Sequence, residues 1–567
     1  VRCSLTLLIA LVAGCDHEPP DDTTPPADDS DPVVADDTDL ETDLPPDDSD
    51  LPPPPRELVV PAGVTLEMAE PFTCLGPSLR TEARYDVKTA IEPASELHYI
   101  GGGGVALGDV DGNGRLDVVA VMQNVVILYK TDDAGQLVPQ DLITRTHTGR
   151  DALFGVSMAD YDGDADLDLY LSDYPGPNLL LRNDGGTFTD VSDAAGVAGP
   201  PGHHSTSSAW ADLDRDGDLD LVVGGHGFTD EEGTAELETL APPDPSLLFE
   251  NNGDGTFTDR SDRLPPDAQA GWTFIVAPVD LDGDGWLDLY FGNDFAGKLQ
   301  PSQPARGGPG LTFTSDTLDS ALELAVTAMG LGVGDVNGDG GPDLVLPGWN
   351  EIGFLVSRSG TWFNEALNSG LDPDASRDQK VAWGTELFDG DNDGDLDLVV
   401  TFGYLDSRFN DNGPNQPDAV YLQEAPMQFL DRGVEWSADQ TDNTRGLAIG
   451  DLNQDGWLDL IKAGTNGRVR VLQSRCADRS FSLVHLSQPG MNRFAIGAQL
   501  RAEVGEAVMS RTLTAGGTGY ASSGPPEVHF GLGDAEWIDR LTVTWPDGVV
   551  HVLEDVPAGR VLTLTRE

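Results

Sequence analysis

Val279–Phe291 reads VDLDGDGWLDLYF. Asp280, Asp282, Asp284 and Asp288 fall at positions one, three, five and nine of a short loop, with Gly285 at position six, where the chain must turn sharply. Trp286, at position seven, can offer its backbone carbonyl. A hard divalent cation needs several oxygens at once, and closely spaced aspartates on a tight turn supply them; calcium is the ion such a loop suits. The run LDLYF that follows reads as a buried strand.

The spacing matches the first three-quarters of an EF-hand loop, but position twelve is Phe291 where an EF-hand has a bidentate Glu. The loop therefore joins strand to strand. The pattern recurs from Asp109 (DVDGNGRLD), Asp160 (DYDGDADLD), Asp212 (DLDRDGDLD), Asp335 (DVNGDGGPD), Asp389 (DGDNDGDLD) and Asp451 (DLNQDGWLD), seven copies in all. Position twelve is Ala120, Leu171, Val223, Leu346, Val400 and Lys462 in the other six, never Glu. Small-residue stretches such as GGGVALG and RGLAIG precede the loops, and short apolar runs such as LDVVAV and LDLVVG follow them. Third strands (NLLLRN from Asn178, SLLFEN from Ser246) and outer strands (GTFTD) complete the repeat. Four strands per repeat at a period of fifty to seventy residues mark propeller blades. The expected fold is all-β: a seven-bladed β-propeller with calcium-binding loops, followed by a small antiparallel β domain.

The formal net charge is -66, from 98 acidic and 32 basic residues. Such a surface repels nucleic acid and anionic membranes and suits cations or basic partners. Ser4–Gly14 is an apolar run too short to span a bilayer, and it ends in Val12-Ala13-Gly14-Cys15. That ending resembles the lipobox of bacterial lipoproteins, which implies a signal over 1–14 and lipidation at Cys15; an ordinary secretory signal is the alternative. Residues 15–56 are dense in Asp, Pro and Thr and cannot bury enough apolar surface to order themselves. They read as a stalk or as a disordered tail. Beyond the leader only Cys74 and Cys476 remain. Two cysteines in an exported chain point to one disulfide, with two separate thiols as the alternative.

The loops with their flanking strands resemble the FG-GAP and VCBS repeats of integrin alpha-subunit heads and bacterial surface proteins, Phe154-Gly155 being the nearest literal FG. The resemblance implies calcium, up to one ion per loop, held by side chains at positions one, three, five and nine and by the position-seven carbonyl. The residues are Asp109, Asp111, Asn113, Arg115 and Asp117; Asp160, Asp162, Asp164, Asp166 and Asp168; Asp212, Asp214, Asp216, Asp218 and Asp220. The fourth loop gives Asp280, Asp282, Asp284, Trp286 and Asp288, the fifth Asp335, Asn337, Asp339, Gly341 and Asp343. The last two give Asp389, Asp391, Asp393, Asp395 and Asp397, then Asp451, Asn453, Asp455, Trp457 and Asp459. Asn113, Asn337 and Asn453 each replace one carboxylate and weaken their sites, and Ala165 replaces the turn glycine, which predicts strain. Asp-rich turns without metal are the bland alternative, opposed by the mutual repulsion of the carboxylates.

After Cys476 the pattern stops. The phrases Ala495-Ile496-Gly497-Ala498, Gly517-Thr518-Gly519-Tyr520, His529-Phe530-Gly531-Leu532-Gly533 and Val543-Thr544-Trp545-Pro546-Asp547-Gly548 resemble the ASPIC/UnbV domain. Repeats followed by this domain are similar to the cartilage acidic protein family and its bacterial relatives. That implies an exported, calcium-binding adhesion or binding protein, lipid-anchored at the cell envelope (the outer membrane or surface) or shed, with a protein or glycan ligand and no catalytic residues. A polysaccharide lyase on a propeller scaffold is the other reading; it needs a cluster of basic groups and tyrosines that the sequence does not display. The expected domains are 57–478 and 479–567. The last reading concerns ring closure: part of Glu57–Ile100 should complete the seventh blade, which lacks an outer strand. His203-His204 reads as a surface pair, and His529 as structural. The insertions Gly224–Ser246 and Gly403–Asp418 carry function or are neutral.

Overall fold

The second strand of every repeat begins at the position-nine aspartate: Asp117–Val121, Asp168–Tyr174, Asp220–Gly225, Asp288–Asp294, Asp343–Pro347, Asp397–Phe402 and Asp459–Gly464. A computed structural model describes residues 56–72, 81–86, 102–147, 152–227, 242–315, 320–371, 380–404, 416–465, 468–474 and 478–567. In each repeat the residue before the loop pairs with that aspartate, as in Gly108 with Asp117 and Val279 with Asp288, so each loop closes an antiparallel hairpin. A third strand follows in every repeat and a fourth in the first six, giving seven sheets along the chain, of four strands each except the third, which gains a fifth from the C-terminal region. The second strands are buried on both faces, which explains their continuous apolar runs.

Successive sheets share apolar cores, and these cores close a ring. Leu128 of the first sheet packs with Leu169 of the second, and Tyr170 of the second with Trp210 of the third. The chain of contacts continues through Val222 with Phe291, Tyr290 with Leu344, Phe354 with Leu398, and Val399 with Leu460. Ile461 and Val471 of the seventh sheet then pack with Val105 and Ile127 of the first. Inner strands approach closely around the axis. A Cβ on Gly446 would lie 1.8 Å from the Gly103 carbonyl oxygen, so only glycine fits there.

The N-terminal segment divides between two roles. Thr81–Asp86 pairs antiparallel with Arg468–Gln473 and supplies the outer strand of the seventh sheet, the closure expected from the missing strand. Val64–Met68, expected within the propeller, instead pairs with Arg560–Arg566 at the end of the chain. The boundary at residue 57 is corrected accordingly: Val64 buries its side chain in the core of the C-terminal domain, and its backbone covers the edge of Arg560–Arg566. Cys15, Cys74 and Cys476 lie outside the described residues, as do the tips of both insertions.

The C-terminal domain packs two four-stranded sheets face to face. One holds Val64–Met68, Arg560–Arg566, Ser480–Ser487 and Val528–Gly533; the other holds Ala507–Thr512, Gln499–Val504, Trp537–Thr544 and Val550–Pro557. The domain is antiparallel as expected, with one parallel pair: Ser480–Ser487 runs alongside Arg560–Arg566. A crossover through the second sheet separates these strands in sequence and lets them run in the same direction.

This domain is threaded into the propeller. Ala515–Gly516 pairs with the third inner strand at Ala209 and Trp210. Gly519 exchanges backbone hydrogen bonds with Leu331, the Ala521 carbonyl accepts from the Val156 amide, and Ser523 exchanges bonds with Val105 and Leu107. Tyr520, fully buried, enters the axis among Phe154, Phe274 and Trp383, with ring centroids 5.5, 6.0 and 5.0 Å away. Beside it the buried Arg445 guanidinium lies 3.9 Å from the Trp383 ring centroid and donates to Asn443 Oδ1 at 2.6 Å. An aromatic plug from the C-terminal domain therefore fills the centre of the ring.

Candidate metal centres on the loop face

All seven loops fold by the same hydrogen bonds. The amide at position six donates to the position-one carboxylate, as Gly285 does to Asp280 at 3.0 Å and Gly456 to Asp451 at 2.7 Å. The amide at position seven donates to position five, as Trp286 does to Asp284 at 2.9 Å and Asp166 to Asp164 at 2.9 Å. The position-nine aspartate is a staple. One oxygen accepts from the amide at position two and the other from an amide of the third strand, Val110 and Thr131 for Asp117, Leu281 and Gly307 for Asp288. Position six has positive φ throughout, including Ala165 at 78°. The strain expected of that loop is present, because an L-residue in this region crowds its own carbonyl.

Five loops bring three carboxylates together so that one oxygen of each lies within 4.8 Å of the others. The groups are Asp109, Asp111 and Asp117; Asp160, Asp162 and Asp168; Asp212, Asp214 and Asp216; Asp280, Asp282 and Asp288; and Asp389, Asp391 and Asp397. The donors are hard oxygens on a preformed turn, the chemistry a hard divalent cation requires. The fifth and seventh loops do not bring three carboxylates together among the described residues, because Asn337 and Asn453 stand at position three. Each turns its amide nitrogen to a third-strand carbonyl, Ser357 at 2.7 Å and Ser474 at 3.3 Å, and its oxygen toward the loop, where it accepts from Asp339 and Asp455. These two sites hold an oxygen without its charge.

Burial and mutual repulsion set the electrostatics of the loops. Burial, with neighbouring carboxylates adding to it, pushes Asp168 and Asp220 up to about 9, Asp288 and Asp343 to about 7, and Asp117, Asp160 and Asp212 to about 6. Basic side chains offset part of the repulsion. Lys130 Nζ is 3.3 Å from Asp111, Arg479 Nη1 is 2.6 Å from Asp391, and Arg306 pairs with Asp282.

The C-terminal domain covers this face. The Arg493 Nε donates to the Gly163 carbonyl at 2.6 Å, the Asn492 amide to the Gly217 carbonyl at 3.2 Å, and the Gly531 amide to Asp389 at 3.0 Å. His529 bonds the Gly456 carbonyl through Nε2 at 3.1 Å and stacks on Phe481; burial lowers its pKa to about 4, so it is a neutral packing residue, as its strand position implied. His203, expected at the surface, is buried against Ser205 and the Pro245 carbonyl, while His204 pairs with Asp244 at 2.6 Å. The correction has a simple cause. The chain after the third-repeat insertion folds back over the start of the inner strand, which residue type alone does not reveal.

The chain carries FG-GAP-like repeats, matched at 109–171, 160–223, 239–291 and 389–461, and an ASPIC and UnbV domain matched at 488–567. Among curated proteins it is similar to Cartilage acidic protein 1 of Xenopus tropicalis, 23% identical over 481 residues, covering 70% of this chain and 71% of that protein. The human protein of the same name is 22% identical over 477 residues, 72% of this chain and 71% of that protein. Among solved structures, an Agrocybe aegerita protein described as recognising non-reducing terminal N-acetylglucosamine aligns over 63% of this chain and 88% of its own, at 18% identity and a TM-score of 0.39. BBS1N in complex with ARL6DN aligns over 69% and 96%, at 10% identity and a TM-score of 0.39. Scores of this size carry no argument about this chain.

Proposed function

We propose that this protein is a calcium-binding, extracytoplasmic binding or adhesion protein held at the cell surface through a lipidated Cys15. The observation that carries the reading is the fivefold recurrence of three converging carboxylates on one face of a rigid ring. The residues that would hold the ions are those at positions one, three, five and nine, with the position-seven carbonyl as a further ligand. Bound calcium would supply positive charge where the loops concentrate negative charge. The chain's own part is to fix the oxygens: each position-nine carboxylate is buried and held by two amides, so the loop cannot spread to relieve repulsion. The similarity to proteins named for cartilage supports an extracellular setting. The proposed partner is a protein or glycan at a surface or matrix; nucleic acid is excluded by the charge, and the membrane is reached only through the anchor.

Metal analysis of the full-length protein after dialysis tests this. At about 1 mM free calcium, enough to fill typical extracellular sites, several ions per chain are expected. Less than one ion per chain would overturn the reading. Cys15→Ala should move the protein out of the membrane fraction, and unchanged fractionation would overturn the anchor.

A further inference from the structure

The C-terminal domain does not lie flush on the loop face. A continuous cleft runs between them, about 360 Å³ in its middle section and about 270 Å³ at the end lined by Trp286. The two sections share Asp280, Leu287, Gln499 and Thr544 in their walls. A third section of about 160 Å³ continues past Arg511 and Thr512. The middle section by itself falls in the range of small-molecule sites, about 300–1,000 Å³, and the two end sections extend it.

The two walls differ in chemistry. The roof is one face of the sheet Ala507–Thr512, Gln499–Val504, Trp537–Thr544. Strand pairing sets Gln499 between Thr512 and Thr544, and Arg501 between Ser510 and Thr542. The alternate residues Leu500, Ala502, Leu541 and Val543 point the other way into the domain core, so the polar face is the sheet's outer one by its period of two. Gln499, Thr512, Thr542 and Thr544 have no side-chain hydrogen bond to another described residue. Arg511 Nη2 is buried without a hydrogen-bond partner, as is Glu527 Oε1 in the third section. The floor mixes apolar groups, Leu287, Val333, Leu387 and Leu396, with the carboxylates of Asp280, Asp335 and Glu386.

We infer that this cleft binds a neutral oligosaccharide, lying between the hydroxyl-bearing roof and the apolar floor. The inference rests on the extracytoplasmic binding role proposed above and names its ligand class. Pyranose rings have hydroxyl edges that both donate and accept and C–H faces that pack on apolar surface. Threonine hydroxyls and a glutamine amide likewise both donate and accept. Trp286, with the Arg215 guanidinium 4.3 Å from its ring centroid, adds an aromatic surface at the open end. A peptide is a poorer occupant. The roof presents its face, and its central strand, Gln499–Val504, is hydrogen-bonded on both sides, which confines strand addition to the outer edge of Ala507–Thr512. An anionic sugar would set a carboxylate beside Glu386, the floor acid that lies outside the calcium loops.

The test is calorimetric titration of the full-length protein in calcium with maltotriose, cellotriose, triacetylchitotriose and trigalacturonate. At least one neutral trisaccharide should bind with a Kd of about 1 mM or tighter, a typical strength for a few net hydrogen bonds and modest burial. Thr542→Val and Gln499→Leu should each weaken that binding about fivefold to tenfold, the loss of one or two hydrogen bonds. Calcium content and melting temperature should match the wild type, which separates loss of the cleft from loss of the fold. No neutral binding up to about 20 mM, a weak-affinity limit of roughly 2 kcal/mol, would overturn the assignment, as would trigalacturonate binding alone or undiminished binding in both variants. If calcium content stays normal in that case, the calcium-binding reading stands and only the ligand class fails.

Discussion

Tyr520 joins the C-terminal domain to the axis of the ring, and its removal should be felt in both. In Tyr520→Ala the ring leaves a fully buried position with three aromatic neighbours at centroid distances of 5.0 to 6.0 Å. Truncating a buried aromatic to Ala costs about 3–5 kcal/mol, of which each aromatic pair accounts for roughly 0.5–1.5 kcal/mol. A loss near 4 kcal/mol is therefore expected. Arg56–Glu567 forms one compact unit of about 510 residues; at about 2.1 cal/mol/K per residue its unfolding entropy is about 1.1 kcal/mol/K, so the melting temperature should fall by roughly 4 °C. Hydrogen exchange supplies the second readout. The segment that Tyr520 anchors bonds directly to Val105, Leu107, Val156 and Leu331, so protection at those inner-strand amides should drop first. Tyr520→Phe, which keeps the ring, should recover most of the loss. If Tyr520→Ala melts within about 1 °C of wild type, well below the shift derived from its burial, with inner-strand exchange unchanged, the plug does not hold the ring together as argued.

Ala165→Gly should stabilise the protein by about 1–2 kcal/mol, because Ala165 sits at a φ of 78° that glycine adopts freely; denaturant melts with an unchanged m-value check it. A destabilised variant would show that the strain is relieved elsewhere. In metal-free protein the raised carboxylates set the pH dependence. Their folded pKa values lie above the unfolded value of 3.8, up to about 9 for Asp168 and Asp220, so their protonated folded forms are favoured and stability falls as pH rises through that window. Melting temperatures in chelator should therefore decline from pH 5 to pH 9, and saturating calcium should flatten the decline. A rise over the same window would contradict the sign.

The loops were legible because their geometry is local: one aspartate at position one accepts from position six, five residues on, and no distant contact is needed to fold the turn. Blade order was legible for the same reason, since each second strand starts at a position-nine aspartate. The completion of the seventh sheet by Thr81–Asp86 followed from a missing strand. The axial plug was not legible. Gly517-Thr518-Gly519-Tyr520 carries neither a helical nor an alternating period, and its partners lie more than one hundred residues away in four different repeats. Val64–Met68 reads as a strand, but nothing in its composition selects Arg560–Arg566 as the edge it covers. The cleft was invisible for a related reason. The alternation of Gln499, Leu500, Arg501 and Ala502 shows one polar face, and only the docking of the domain shows what that face overlooks.

The account turns on the loops being built for calcium, and a thermal melt in chelator against calcium tests that most directly. At a free calcium concentration ten times Kd each site adds about 1.4 kcal/mol to the folded state, so the five carboxylate clusters add about 7 kcal/mol, roughly 6 °C for a unit of this size. Excess chelator should lower the melting temperature by that amount, and calcium should restore it more fully than magnesium, whose smaller octahedral shell fits these loops poorly. A melting curve that does not move between chelator and calcium would contradict the account.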